Sequence, residues 1–317
     1  MESTPAPLSA HPPQFRIEKK TSLIARSFAQ RLGFLVPCVL FLLAACHRAS
    51  VLGDHPRTAA GVRMTDVHFH SNALRRDVTY RVYLPENPAP GQKLPVVYLL
   101  HGGGDDYRDW SNKADVAQYA SKGLILVMPD GDESYWMNEV EAPRLKYEDF
   151  VTQDLIADVQ GRFPARADRS GRAIVGISMG GFAAVDYAMV HPDLFVFVGA
   201  LSPAIDVPFR SFNIRRVGQW WKFRTIFGPV GSKTRAARNP FELVQTVNPS
   251  SSPFLYITAG ENEPLLGPIR RFVSRLKNRS CAYEFQTKPG GHDWGQWNGQ
   301  IPGCFDSLEG RLIGVGH

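Results

Sequence analysis

Ala173-Ile-Val-Gly-Ile-Ser-Met-Gly-Gly181 joins an unbroken apolar run to a serine set among glycines. An apolar run of four to seven residues without alternation is what a strand buried on both faces requires. Residues 179–190, directly behind it, have helical spacing. A serine on such a strand-to-helix turn is held in a tight conformation, so its neighbours must be small, a need that Gly176, Gly180 and Gly181 meet. The hydroxyl then stands clear at the end of the sheet, and the free N–H groups that open the next helix favour negative charge developing beside it. Ser178 is therefore the candidate nucleophile. The bare pattern G-x-S-x-G also fits an ordinary glycine-rich turn; the strand before it and the helix after it give it its weight.

Outward from this segment, further short apolar runs fall at 96–100, 124–128, 195–199 and 254–258, with helical spacing over 149–163. Their alternation predicts an α/β fold with a mostly parallel central sheet and helices on both faces. Ahead of them, 67–70 and 78–84 read as two extended segments about a polar turn, an antiparallel hairpin at the N-terminal edge. The catalytic domain is expected to cover 64–317, with a possible cap insertion at 205–248 that carries Trp220, Trp221 and many arginines. A solvated basic face is the other reading of that insertion.

The partners that a nucleophilic serine needs are present in the order Ser, acid, His, which is that of the α/β hydrolases. His101-Gly-Gly-Gly104 follows the run 96–100, where glycines let the backbone approach a substrate. The N–H groups of Gly103 and Met179 are the expected oxyanion donors, with Gly104 as neighbouring candidate. His101 itself is expected to hold the loop by hydrogen bonds. Gly290-Gly-His292-Asp-Trp294 comes after the extended segment 283–288, which makes His292 the candidate base. The acid should follow an intermediate strand, and Ala259-Gly-Glu-Asn-Glu263 offers two carboxylates. Glu263 is favoured over Glu261 because it lies past the turn and can point back; a carboxylate favoured only by a helix start is the alternative. Trp110, Tyr135, Trp136 and Trp294 flank these motifs and could stack on a sugar or aryl group, or simply pack.

These segments resemble the esterase D and feruloyl-esterase group of α/β hydrolases, which also includes enterochelin esterases and mycobacterial mycolyltransferases. The resemblance spans about residues 64–310. It rests on Val97-Tyr-Leu-Leu-His-Gly-Gly103, Met128-Pro-Asp-Gly131 with Ser134-Tyr-Trp-Met-Asn138, the stretch from Asp168 to Gly181, Leu201-Ser-Pro203 and Gly290 to Trp294. It implies an acyl-enzyme on Ser178, activation of serine and then water by His292, and an oxyanion hole of Gly103 and Met179. The departure lies at the acid, where many relatives carry aspartate and this chain has Glu263. Serine, histidine and acid suffice for such a reaction, so no metal or organic cofactor is expected.

The N-terminus reads as an address. Basic residues between Arg16 and Arg31 precede the apolar run from Gly33 to Ala45, which ends at Leu43-Ala-Ala-Cys46. The run is shorter than the roughly twenty residues of a comfortable membrane span, and the last four residues resemble a bacterial lipobox. Residues 1–46 are thus expected to be a signal or lipoprotein leader with Cys46 the lipidated residue and a membrane partner through that lipid. Residues 47–63 are expected to be a tether, and the protein to be exported. Half of the formal charge of +6 falls on this leader; outside residues 1–46 there are 31 basic and 28 acidic residues, too balanced to point to nucleic acid. Cys281 and Cys304 either pair or stay as separate buried thiols.

Three functions remain open from the residues: hydrolysis of a small or carbohydrate-linked carboxylic ester, acyl transfer of the mycolyltransferase type, and a non-catalytic binding protein on the same fold.

Overall fold

The computed structural model describes residue 1, residues 53–210 and residues 217–312. The expected leader, its apolar run, Cys46 and residues 47–52 of the expected tether lie outside the described residues.

Eight strands form one sheet in the order β1-β2-β4-β3-β5-β6-β7-β8. They are β1 (Val62–Ser71), β2 (Arg76–Pro85), β3 (Val96–Leu100), β4 (Ile125–Pro129), β5 (Arg172–Ile177), β6 (Phe197–Leu201), β7 (Phe254–Gly260) and β8 (Tyr283–Lys288). The β1–β2 hairpin and the β2–β4 pair are antiparallel, and every other pairing is parallel. This is an open α/β-hydrolase sheet with the antiparallel hairpin at its edge. The all-apolar runs occupy the centre: each residue of β3, β4, β5 and β6 is buried, because a parallel sheet has helices on both faces and no side for water.

Six helices carry or brace the loops at the ends of these strands: α1 (Ile156–Arg162), entered through a π-helical stretch Phe150–Leu155, α2 (Met179–Val190), α3 (Val217–Phe227), α4 (Pro240–Thr246), α5 (Leu266–Asn278) and α6 (Trp294–Leu312). Two apolar clusters sit on the two faces of the sheet. Val96, Tyr98 and Leu100 of β3 face one, with Phe182 of α2 and Phe272 of α5; Val97 and Leu99 face the other, with Ile301 and Phe305 of α6. Cys281 belongs to the first cluster and Cys304 to the second. Both thiols are free and buried, so the separate-thiol alternative holds, and burial pushes both up from the ordinary thiol range.

Two sequence expectations shift. The run read as 195–199 pairs as Phe197–Leu201, because Phe197 is opposite Ala173 in the β5 register and Val196 donates its N–H to the Arg172 carbonyl on the way in. The segment read as the end of a tether is instead fastened to the domain from Asp54 onward. Arg81, with a fully buried guanidinium, pairs with Asp54 at 2.6 Å and with Asp66 at 2.7 Å, and Arg57 donates its N–H to the Ser111 carbonyl. A buried guanidinium needs such planar carboxylate partners. Among the described residues, no helix is long and apolar enough to cross a membrane.

Candidate active site

Ser178 follows β5 directly and caps α2 with φ 50° and ψ −107°, a left-handed backbone that a non-glycine residue rarely adopts. The crossing around it is close enough to exclude side chains. A Cβ on Gly176 would stand 2.2 Å from the Gly180 carbonyl group, and one on Gly180 would stand 2.4 Å from the Leu100 carbonyl oxygen of β3. The Ser178 N–H donates to Leu201 on β6, and its carbonyl accepts the N–H groups of Phe182 and Ala204. The turn is thus tied to β6, to the loop after it and to α2, which offsets its strain. Nearly all of α2 is buried, as a helix apolar on nearly every face should be, so its N-terminus is a rigid base for the serine.

His292 follows β8 through Gly290, which has φ 132°. At that crossing a Cβ on Gly260, the last residue of β7, would lie 2.6 Å from the Gly291 carbonyl oxygen. The two strand ends therefore bring the loops after β7 and β8 together. His292 Nδ1 lies 2.9 Å from Glu263 Oε2, and Nε2 lies 2.8 Å from Ser178 Oγ. A carboxylate can only accept, so Nδ1–H donates to Glu263 and Nε2 of the neutral ring accepts the serine hydroxyl. The Glu263 side chain is fully buried, and its Oε1 has no hydrogen-bond partner among the described residues. Its carboxylate therefore has His292 as its one hydrogen-bonding partner there. Glu261 is exposed, and its side chain bonds neither residue.

The glycine loop lies beside the serine: a Cβ on Gly102 would stand 3.5 Å from Ser178 Cβ. The N–H groups of Gly103 and Met179 have no protein acceptor among the described residues, which leaves both free for a ligand oxygen. Gly104 donates its N–H to the Glu133 carboxylate. His101 is fully buried and does hold the loop. Its Nδ1 pairs with the Gly102 carbonyl at 2.8 Å, and its Nε2 accepts the Gly131 N–H at 2.9 Å.

Ser178 and His292 open onto a hollow of about 410 Å³ lined also by Tyr135, Ala204, Asp206, Arg210, Gln219, Pro264 and Leu265. Of the four flanking aromatic residues, for which stacking on a substrate and packing were both open, the three tryptophans pack away from this hollow. Trp110 and Trp136 are buried, and the Trp136 indole donates to the His101 carbonyl. Trp294 is half-buried, donates to Asp105 and packs edge-on against Trp110. All three are supports of the two loops. Tyr135, with φ 54°, lines the hollow. Asp206, Arg210 and Gln219 were not singled out by sequence, since nothing local marks them; Gln219 comes from α3, so the expected insertion forms one wall. Arg210 donates to Asp206 at 2.6 Å.

Comparisons with known proteins bear on the family and the fold. An acetyl esterase of Caldicellulosiruptor saccharolyticus is 25% identical over 263 residues, covering 76% of this chain and 96% of that protein. A diacylglycerol acyltransferase/mycolyltransferase of Mycobacterium avium is 27% identical over 257 residues, covering 70% of this chain and 77% of that one. Among solved structures, a fluorophosphonate-binding serine hydrolase of Staphylococcus aureus shares the fold with a TM-score of 0.69 at 23% identity, over 78% of this chain and 99% of the other. The Esterase family profile matches residues 71–307: the chain belongs to that family and is a serine esterase of the α/β-hydrolase fold.

Proposed function

We propose that the protein hydrolyses a small or carbohydrate-linked carboxylic ester through an acyl-enzyme on Ser178. The observation that carries this reading is the aligned chain Glu263–His292–Ser178, with hydrogen bonds of 2.9 and 2.8 Å, at the floor of an open hollow. His292 Nε2 takes the serine proton as Oγ attacks the ester carbonyl, and Glu263 stabilises the imidazolium that forms. The negative oxygen of the tetrahedral intermediate sits between the N–H groups of Gly103 and Met179. Collapse expels the alcohol, which takes the proton from His292. Water then attacks the acyl carbonyl and gives its proton to the same nitrogen; the bond to Oγ breaks, Oγ takes the proton back from His292, and the acid leaves. No group beyond these side chains and backbone donors is needed.

Tyr135, Asp206, Arg210 and Gln219 give the hollow donors and acceptors suited to a hydroxylated alcohol, and the acetyl esterase relative supports a small acyl group. Acyl transfer to a sugar alcohol is the second reading, supported by the mycolyltransferase relative. The order of basic stretch, apolar run and Leu43-Ala-Ala-Cys46 supports residence in the cell envelope with a lipid on Cys46. Non-catalytic binding is disfavoured by the two hydrogen bonds on Ser178 and His292.

The test is hydrolysis of a short-chain aryl ester by the full chain and by Ser178→Ala, followed by acetylated, feruloylated and siderophore esters, each with and without a sugar acceptor. The variant is expected to lose all but about one part in 10⁴ to 10⁶ of the rate and to lose labelling by a fluorophosphonate. Retained activity in Ser178→Ala would sink the mechanism, and product appearing on the acceptor rather than as free acid would move the reading to transfer.

A further inference from the structure

Glu133 is part of neither the core nor the serine–histidine–glutamate chain, yet it reaches over the oxyanion loop. Its Oε1 accepts the N–H of Gly104, and a Cβ on Gly103 would lie 3.5 Å from that same oxygen. Its Oε2 meets Nζ of Lys222 at 2.5 Å. The carboxylate thus fixes the residue next to the Gly103 donor while placing a negative charge close to where negative charge must develop in the reaction. Lys222 is the cation set against it. Nearby Asp132 is already paired with Arg76 at 2.6 Å.

Lys222 is carried by α3, the same helix that presents Gln219 to the serine hollow, and residues three apart share a helix face. The C-terminal end of α3 is fastened to the loop after Asn138. Val140 and Glu141 donate their N–H groups to the carbonyls of Ile226 and Thr225, and Arg224 pairs with Glu141 at 3.1 Å.

We propose that Glu133 and Lys222 form a positioning pair for ester hydrolysis: Glu133 sets the oxyanion loop through Gly104, and Lys222, held in place by α3, neutralises Glu133. This rests on the reading of Gly103 as an oxyanion donor. The pair touches no reacting atom, so its effect falls on the transition state and not on substrate binding.

The experiment is a cycle of Lys222→Met, Glu133→Gln and the double variant in the full chain, assayed for kcat and KM on a short aryl ester. Lys222→Met is expected to lower kcat roughly tenfold with KM changed less than about twofold, short of the roughly 100- to 1000-fold loss from deleting a donor outright. High salt should restore part of that loss, since both groups are partly exposed. The double variant is expected to recover to within about threefold of the parent, because an amide still accepts the Gly104 N–H but carries no charge. A double variant as slow as Lys222→Met, or slower, overturns the pair, as does a loss confined to KM. Thermal unfolding of each variant separates a misfolded protein from a slow one. Parental kcat in all three variants, with Ser178→Ala inactive, overturns the pair while leaving the serine mechanism standing; an active Ser178→Ala removes the reading beneath both.

Discussion

Glu263 and Glu261 are two residues apart and chemically alike, yet only one of them meets His292. The turn after β7 sends Glu261 to solvent and Glu263 inward, where His292 is its one hydrogen-bonding partner among the described residues. Glu263→Gln should therefore lower kcat by about 10⁴, since an amide does not hold the imidazole in the tautomer that accepts the serine proton. Glu261→Gln should leave kcat within about twofold. Equal effects on both, read from steady-state kinetics, would remove Glu263 from its role. The same scale shows where local sequence does not decide. Trp110, Trp136 and Trp294 flank the catalytic motifs in sequence, and proximity along the chain left substrate contact and packing equally open. Their side chains turn into the loops' foundations, because a large ring next to a glycine loop fills the space beneath it that glycines leave open.

At the scale of elements, the nucleophile turn depends on how closely α2 can approach β3. Gly180→Ala would push a methyl group into the Leu100 carbonyl, and overpacking of this kind costs about 1–3 kcal/mol or more. A fall in Tm of roughly 5–10 °C with loss of activity is expected. Gly161→Ala in α1 is the matched control: no atom lies within 4 Å of the added methyl, so helix propensity alone should raise stability by up to about 1 kcal/mol. Calorimetry on the pair checks both signs, and a Gly180→Ala protein as stable and active as the parent would show that the crossing can relax. The elements themselves were mostly legible because β3 is wholly apolar and β5 and α2 are apolar but for Arg172 and Asp186. The slip at β6 came from Phe195, which is apolar but packs from the preceding turn.

Across the whole molecule, a buried charge cluster bolts the segment before α4 to the nucleophile helix. Arg238 pairs with Asp186 of α2 at 2.8 Å and with Glu148 at 2.5 Å, and Glu148 also meets His191 at 2.7 Å. Burial pushes the Asp186 carboxyl up to about 6 despite Arg238. Burial also acts to raise Glu148, but His191 and Arg238 hold it below its usual value. Removing the guanidinium in Arg238→Met leaves two buried carboxylates without it and should cost about 3–5 kcal/mol at pH 8. Both folded-state values then rise, Asp186 further above its unfolded value and Glu148 from below its own, so the folded variant holds protons that the folded parent has released. The loss is complete above the folded values and shrinks as pH falls towards 4. Urea unfolding of parent and variant at pH 8 and pH 5 reads this directly, and a difference that does not shrink at pH 5 would show that lost packing, not charge, is the cause.

The sequence by itself determined the parallel sheet, the serine turn and the late histidine, because each is written in local chemistry: unbroken apolar runs, glycines where backbones cross, and a histidine behind paired glycines. Tertiary structure alone decided which glutamate faces the histidine, that Tyr135 lines the hollow, that Cys281 and Cys304 sit on opposite faces of the sheet, and that Asp54, Arg81 and Asp66 close the N-terminal edge. Those are matters of direction and of meeting across long stretches of chain, set by strand register and packing rather than by any residue's neighbours in sequence.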